Sequence, residues 1–214
     1  LLMKCSNTKY RKGESPDYRS SKWSMPRCLP ASHSGLLYQG RRQMYNLITG
    51  DSASRHGTLL RDLPFNKGLV PGPDLLFIGA VKGGSYLPAA HRYRGRFYRE
   101  LGPGGASLLI DTPHHVLIMS GLYGLVTPSE PTQLYSCHVP DHPAIARCWT
   151  ENDRLTKLLV AYIERFAITR VFDLTAVDSY RKPVSWEMVR HAAGGGVLHP
   201  FSSQYGGASL LPSL

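Results

Sequence analysis

The sequence predicts an α/β fold in one domain spanning residues 1–214, with a mostly parallel or mixed central sheet flanked by helices and by long Gly/Pro-rich loops. Three observations carry this expectation. Short apolar runs closed by Gly, Ser or polar residues recur along the chain and read as buried strands. One strongly amphipathic helix lies between two of them, giving a strand–helix–strand unit that normally crosses over into parallel pairing. The length suits one hydrophobic core and is too short for two large ones.

Taken in order, residues 1–6 (LLMKCS) read as a strand and residues 35–48 as a helix. The run 75–81 (LLFIGAV) predicts a further strand, and residues 88–101 a second helix. Residues 115–120 (HVLIMS) predict the next strand, with His114 and His115 leading into it rather than holding a metal. The clearest helix covers 150–167, where Leu155, Leu158, Leu159, Tyr162, Ile163 and Phe166 recur every three to four residues behind a Thr150–Asp153 capping pattern. The run 170–175 (RVFDLT) follows as a strand and residues 184–193 as a last helix. Stretches 24–35, 66–74 and 192–207 read as turns rather than linkers, because no change of composition accompanies them.

The formal charge of +10 is unevenly distributed. Before residue 50, Lys4, Lys9, Arg11, Lys12, Arg19, Lys22, Arg27, Arg41 and Arg42 face only Glu14 and Asp17, whereas residues 101–150 hold Arg147 against Asp111, Glu130 and Asp141. A basic face attracts phosphate backbones by counterion release, which makes nucleic acid the leading partner class over a merely solvated basic surface. Cys5, Cys28, Cys137 and Cys148 form no CxxC pair and no Cys/His spacing of a zinc site, so no metal and no cofactor are expected. With no leader pattern and no apolar run long enough to span a bilayer, the reading is a cytoplasmic protein with reduced thiols and no membrane partner. No protein partner is implied, and a monomer is expected.

In open α/β sheets ligands bind beyond the carboxyl ends of the strands. Three strand ends carry polar chemistry: residues 82–86 (KGGSY), 120–124 (SGLYG) and 173–180 (DLTAVDSY). The small residues of SGLYG let a ligand approach the backbone, although a plain turn gives the same pattern. Glu130, Asp173 and Asp178 follow apolar runs or their loops, where desolvation fits a carboxyl for acid or base work; a cap or surface carboxylate is the commoner fate of any one. The segment 92–99 (RYRGRFYR) interleaves Arg92, Arg94, Arg96 and Arg99 with three aromatics, a composition for holding phosphates while stacking bases. An amphipathic helix with aromatics inward reads equally well. Lys9 suits a phosphate ligand, an amine nucleophile or a surface residue.

These pieces, in this order, resemble the YaaA family, bacterial proteins linked to peroxide stress and DNA binding. The family's Ser-x-x-Lys is matched by Ser6 to Lys9, its Tyr-x-Gly-x-x-Tyr by Tyr93 to Tyr98, its Ser-Gly-Leu-Tyr-Gly turn by Ser120 to Gly124, and the following proline, acid and tyrosine by Pro128, Glu130 and Tyr135. Its late Asn-Leu-Ala-Ser-x-Glu-Tyr is similar to 173–180, with Asp173 in place of Asn; Leu134 replaces the proline before the tyrosine. The chain is also similar in general plan to antiphage DNA glycosylases that excise modified bases. The resemblance implies DNA binding and one pocket shared by the start of the chain, the Tyr-rich helix and the two late loops.

The function expected is therefore a metal-independent DNA glycosylase acting by base flipping on a modified or damaged base, on duplex DNA. Tyr93, Ser120, Tyr123, Tyr135 and Tyr180 would frame the base, and Asp173, Asp178 or Glu130 would handle water and charge, with Lys9 as a further catalytic candidate. Ser6, Lys9, Arg41, Arg42, Arg92, Arg94, Arg96 and Arg99 would hold phosphates. A DNA-binding stress protein without chemistry and an enzyme acting on free nucleotides are the alternatives.

Overall fold

The structure, a computed structural model, describes residues 1–11, 13–15, 31–53, 57–75, 85–175 and 177–200. Its centre is the strand β1, Leu2–Lys4, which pairs in parallel with β3, Leu117–Ser120. β3 turns through three residues into β4, Gly124–Val126, which runs antiparallel to it. On the other side of β1 a parallel bridge joins Leu2 to Asp173, and the Leu174 amide donates to the Leu2 carbonyl at 2.7 Å. This attaches β6, Val171–Phe172, and its parallel neighbour β7, Val197–Leu198. The strand order is thus β7-β6-β1-β3-β4, parallel except for β4. A small antiparallel pair, β2 (Leu87–Pro88) with β5 (Pro131–Thr132), stands apart from it.

All four residues of β3 are buried, as expected of a strand covered on both faces. The main core, which includes Leu2, Leu117, Ile118 and Met119, is closed by α1 (Ala31–Thr49), α5 (Pro143–Thr150), α6 (Arg154–Arg165) and α8 (Trp186–Ala192). Met3 belongs to a smaller cluster with Ala90, Leu109 and Val116, built by α2 (Ala89–Arg92), α3 (Arg96–Glu100) and α4 (Gly105–Asp111). The period-two alternation of β1 therefore feeds two cores, one on each face of the sheet.

One expected strand lies mostly outside the described residues, and four other details differ from the sequence reading. The strand proposed at 75–81 lies outside the described residues except for Leu75, which sits in a 3-10 turn at Pro73–Leu75. The long helix starts at Arg154 rather than at a Thr150 cap: Asn152 and Asp153 are left-handed, both at φ 54°, and the Thr150 hydroxyl bonds back to the Arg147 carbonyl. It ends at Arg165, which leaves Phe166 largely exposed. The helix proposed at 88–101 breaks into α2 and α3 at residues 93–95, and the stretch 192–207 contains β7.

Candidate active site

The break between α2 and α3 is what builds the site. Residues following β1 run antiparallel to residues 92–94: the Tyr10 amide donates to the Arg92 carbonyl, the Arg94 amide to the Thr8 carbonyl, and Lys9 bridges Tyr93. Gly95 allows this approach, because a Cβ there would lie 2.5 Å from Ser6 Oγ. Ser6 is consequently buried against Gly95 with its hydroxyl on Thr8 Oγ1, so it packs the loop instead of facing a phosphate.

Lys9 is carried to the carboxyl edge of the sheet. Its Nζ lies 4.2 Å from the centre of the Tyr135 ring and 3.3 Å from the Asn7 carbonyl oxygen. Removal from water pushes its amine down to about 8, with Cys5 and Cys137 opposing that shift and the Arg92 charge adding to it. Beneath it the hydroxyls form a chain: Tyr93 to Tyr135 at 3.0 Å, Tyr135 to Ser120 at 2.6 Å, and the Tyr123 amide donating to Ser120 at 3.2 Å. Tyr180 reaches in from α7, Asp178–Arg181, with its hydroxyl 3.3 Å from Cys5 Sγ. Burial raises the phenols of Tyr93, Tyr123, Tyr135 and Tyr180, which keeps them as neutral hydrogen-bonding groups. Next to Ser120 and Tyr180 a cavity of about 10 Å³, also lined by Met119, Val139, Trp149 and Ser179, has room for about one water.

The structure corrects the expected role of these tyrosines. Tyr93, Tyr123, Tyr135 and Tyr180 are all buried, and Tyr123 and Tyr135 meet edge to face at 5.5 Å, so they offer hydroxyls to the site rather than open faces for a base. Exposed aromatic surface instead comes from Phe65, 38% exposed and left-handed at φ 73°, with the Arg11 guanidinium 5.8 Å from its ring. The Arg94 guanidinium lies 5.3 Å from the half-buried Tyr10 ring. Neither Tyr10 nor Phe65 carries a periodicity signal. Their neighbourhood depends on the path of the chain after β1.

The arginines divide into two groups. Arg94, Arg96, Arg99 and Arg42 are exposed. Arg92 and Arg41 are fully buried, and their guanidinium groups are committed to the protein. Arg92 holds the carbonyls of Tyr10, Ser85 and Thr132; Arg41 holds those of Tyr123, Asp74 and Leu125 and pairs with Glu130 at 2.6 Å. Neither faces a phosphate. Glu130 also accepts the Thr127 amide, and so pins the loop after β4 rather than serving an open site. Asp74, buried, accepts from Tyr123, Gln133 and Tyr86 in the same network.

Of the remaining carboxylates, Asp178 opens α7 and is exposed, whereas Asp173 is 2% exposed at the end of β6. Asp173 Oδ1 accepts from the Thr175 amide and hydroxyl, and Oδ2 meets His199 Nδ1 at 2.8 Å and Arg181 Nε at 2.9 Å. Both carboxylate oxygens are engaged by the protein and the side chain is buried, which argues against the expectation that it addresses water directly. Sequence reasoning missed His199, which follows a two-residue strand inside a glycine-rich stretch, and Cys5, although Cys5 directly follows β1 and the strand-end rule reaches it.

Among the described residues no group of three or more His, Cys, Asp or Glu side chains comes together as a metal position, and no helix is long and apolar enough to cross a membrane. Compared with known proteins, the chain matches no protein-family model and no curated protein at a significant level.

Proposed function

We propose that this chain is a DNA-binding enzyme that breaks the N-glycosidic bond of a modified or damaged base, with the Lys9 amine as the attacking group. The observation that carries the reading is the half-buried Lys9, bridged to Tyr93 with its Nζ 4.2 Å from the Tyr135 ring centre; partial withdrawal from water lowers its amine to about 8. A neutral amine attacks C1′ of the nucleotide with its lone pair as the C1′–N bond breaks. The base leaves with the bonding electrons and takes up a proton, the amine loses one, and sugar-ring opening gives an imine. The Tyr93–Tyr135–Ser120 chain supplies neutral proton donors and acceptors beside the amine. Arg94, Arg96 and Arg99 provide exposed positive charge for the phosphate backbone, and Phe65 with Arg11 provides a stacking edge for an unpaired base. The motif resemblance to YaaA proteins, and the likeness in general plan to antiphage DNA glycosylases, support the same reading.

Borohydride reduction tests it, because hydride converts an imine into a stable amine. The expected result is a covalent protein–DNA adduct that mass spectrometry maps to Lys9 and that Lys9→Gln abolishes. Base release without any adduct at Lys9 would remove the amine from the mechanism, and duplex binding without base release would leave a binding protein.

A further inference from the structure

The cluster around Asp173 is built for a different task from the lysine site. Three hydrogen bonds and an ion pair surround that one buried carboxylate: the Thr175 amide at 3.0 Å, the Thr175 hydroxyl at 2.6 Å and His199 Nδ1 at 2.8 Å bond it, and the Arg181 guanidinium pairs with it at 2.9 Å. An ionised carboxylate is an acceptor only, so the hydrogen in the His199 contact resides on Nδ1. The lone pair of the neutral imidazole is therefore on Nε2. The ring is held edge-on to Trp186 of α8, with centroids 4.7 Å apart, and the His199 side chain is 21% exposed. One turn of helix, α7, sends Arg181 to this carboxylate and Tyr180 to Cys5 beneath the lysine site.

We propose that Asp173 and His199 form a proton-transfer dyad in which Asp173 is the positioning residue and His199 Nε2 is the base that deprotonates water at the carboxyl ends of β6 and β7. The water O–H bond breaks, its proton binds Nε2, and the oxygen keeps the electron pair as nucleophile. Arg181 already balances the buried carboxylate charge, so Asp173 orients the imidazole without a second cation being needed. The assignment of that water to release of the sugar from Lys9 rests on the reading above; the tautomer and the dyad do not.

The test has two arms. In the full-length protein with ¹⁵N-labelled histidine, the His199 resonances, identified by their loss in His199→Asn, are expected to show hydrogen on Nδ1 and a bare Nε2 in the neutral form. A hydrogen on Nε2 would overturn the dyad. The second arm uses any duplex that the wild type processes. There His199→Asn, whose side-chain N–H still reaches toward Asp173, should keep its melting temperature and duplex affinity while losing about a hundredfold or more in turnover, the scale of a lost general base. Turnover at the wild-type rate would also overturn the dyad. If the wild type releases no base from any duplex, the glycosidic reading fails and the tautomer alone decides the dyad.

Discussion

At the scale of single residues, the proposed chemistry turns on how far a group is withdrawn from water. Lys9 is surrounded by Tyr135, Cys5, Cys137 and the buried Arg92 charge, and desolvation dominates, bringing the amine from 10.5 to about 8. In the proposed reaction only the neutral amine attacks, so adduct formation under borohydride should climb as pH passes through about 8 and level off above it. Rates measured across that range check this, and Lys9→Arg, which stays charged, should form no adduct at any pH; a flat profile would show that another group limits the step. The sign for stability follows from the same shift. Between about 8 and 10.5 the unfolded chain binds more protons at Lys9 than the folded one, so this residue makes folding more favourable as pH rises. Asp173 illustrates the opposite choice: it is buried with both oxygens engaged by the protein, and in the proposed dyad it acts through His199.

At the scale of elements, the β3–β4 turn is the rigid floor of the site. A Cβ on Gly121 would lie 2.3 Å from the Cys137 carbonyl oxygen, a backbone atom that cannot swing aside, and Trp149 Nε1 also bonds the Gly121 carbonyl at 2.7 Å. Gly121→Ala should therefore destabilise the protein by about 1–3 kcal/mol, the usual cost of overpacking, and thermal unfolding should show a lower melting temperature. A melting temperature equal to wild type would mean that the turn moves freely. Much of this scale is legible in the sequence. LLMKCS, HVLIMS and RVFDLT each contain a strand, because continuous apolar runs leave few other choices, and Leu155 to Ile163 declare their helix by period. β7 is too short to have a period. The break at 93–95 was hidden because helix-forming and site-building constraints coincide on RYRGRFYR, and only the contact of Gly95 with Ser6, distant in sequence, separates them. For the same reason Arg41 and Arg92 look like surface charge in the sequence. Their burial depends on carbonyls supplied by residues 33 to 84 positions away in the chain for Arg41, and 7 to 82 for Arg92.

At the scale of the whole molecule, the parallel strands β1 and β3 end together and deliver Cys5 and Ser120 to one edge, whereas Asp173, at the end of β6, is level with Leu2 at the start of β1. Lys9 is held at that edge by its bridge to Tyr93, with the exposed Arg94, Arg96 and Arg99 following directly in the chain. Under the proposed function, and with a formal charge of +10, encounter with DNA should be governed by counterion release. The most direct test is release of free base, identified by mass spectrometry after incubation with duplexes carrying different modified bases, at low and at moderate salt. The proposed function predicts that one class of modified base is released, leaving an alkali-labile abasic site, at a rate below saturation that falls steeply with salt. Release of no base from any duplex, or release indifferent to salt, would contradict it.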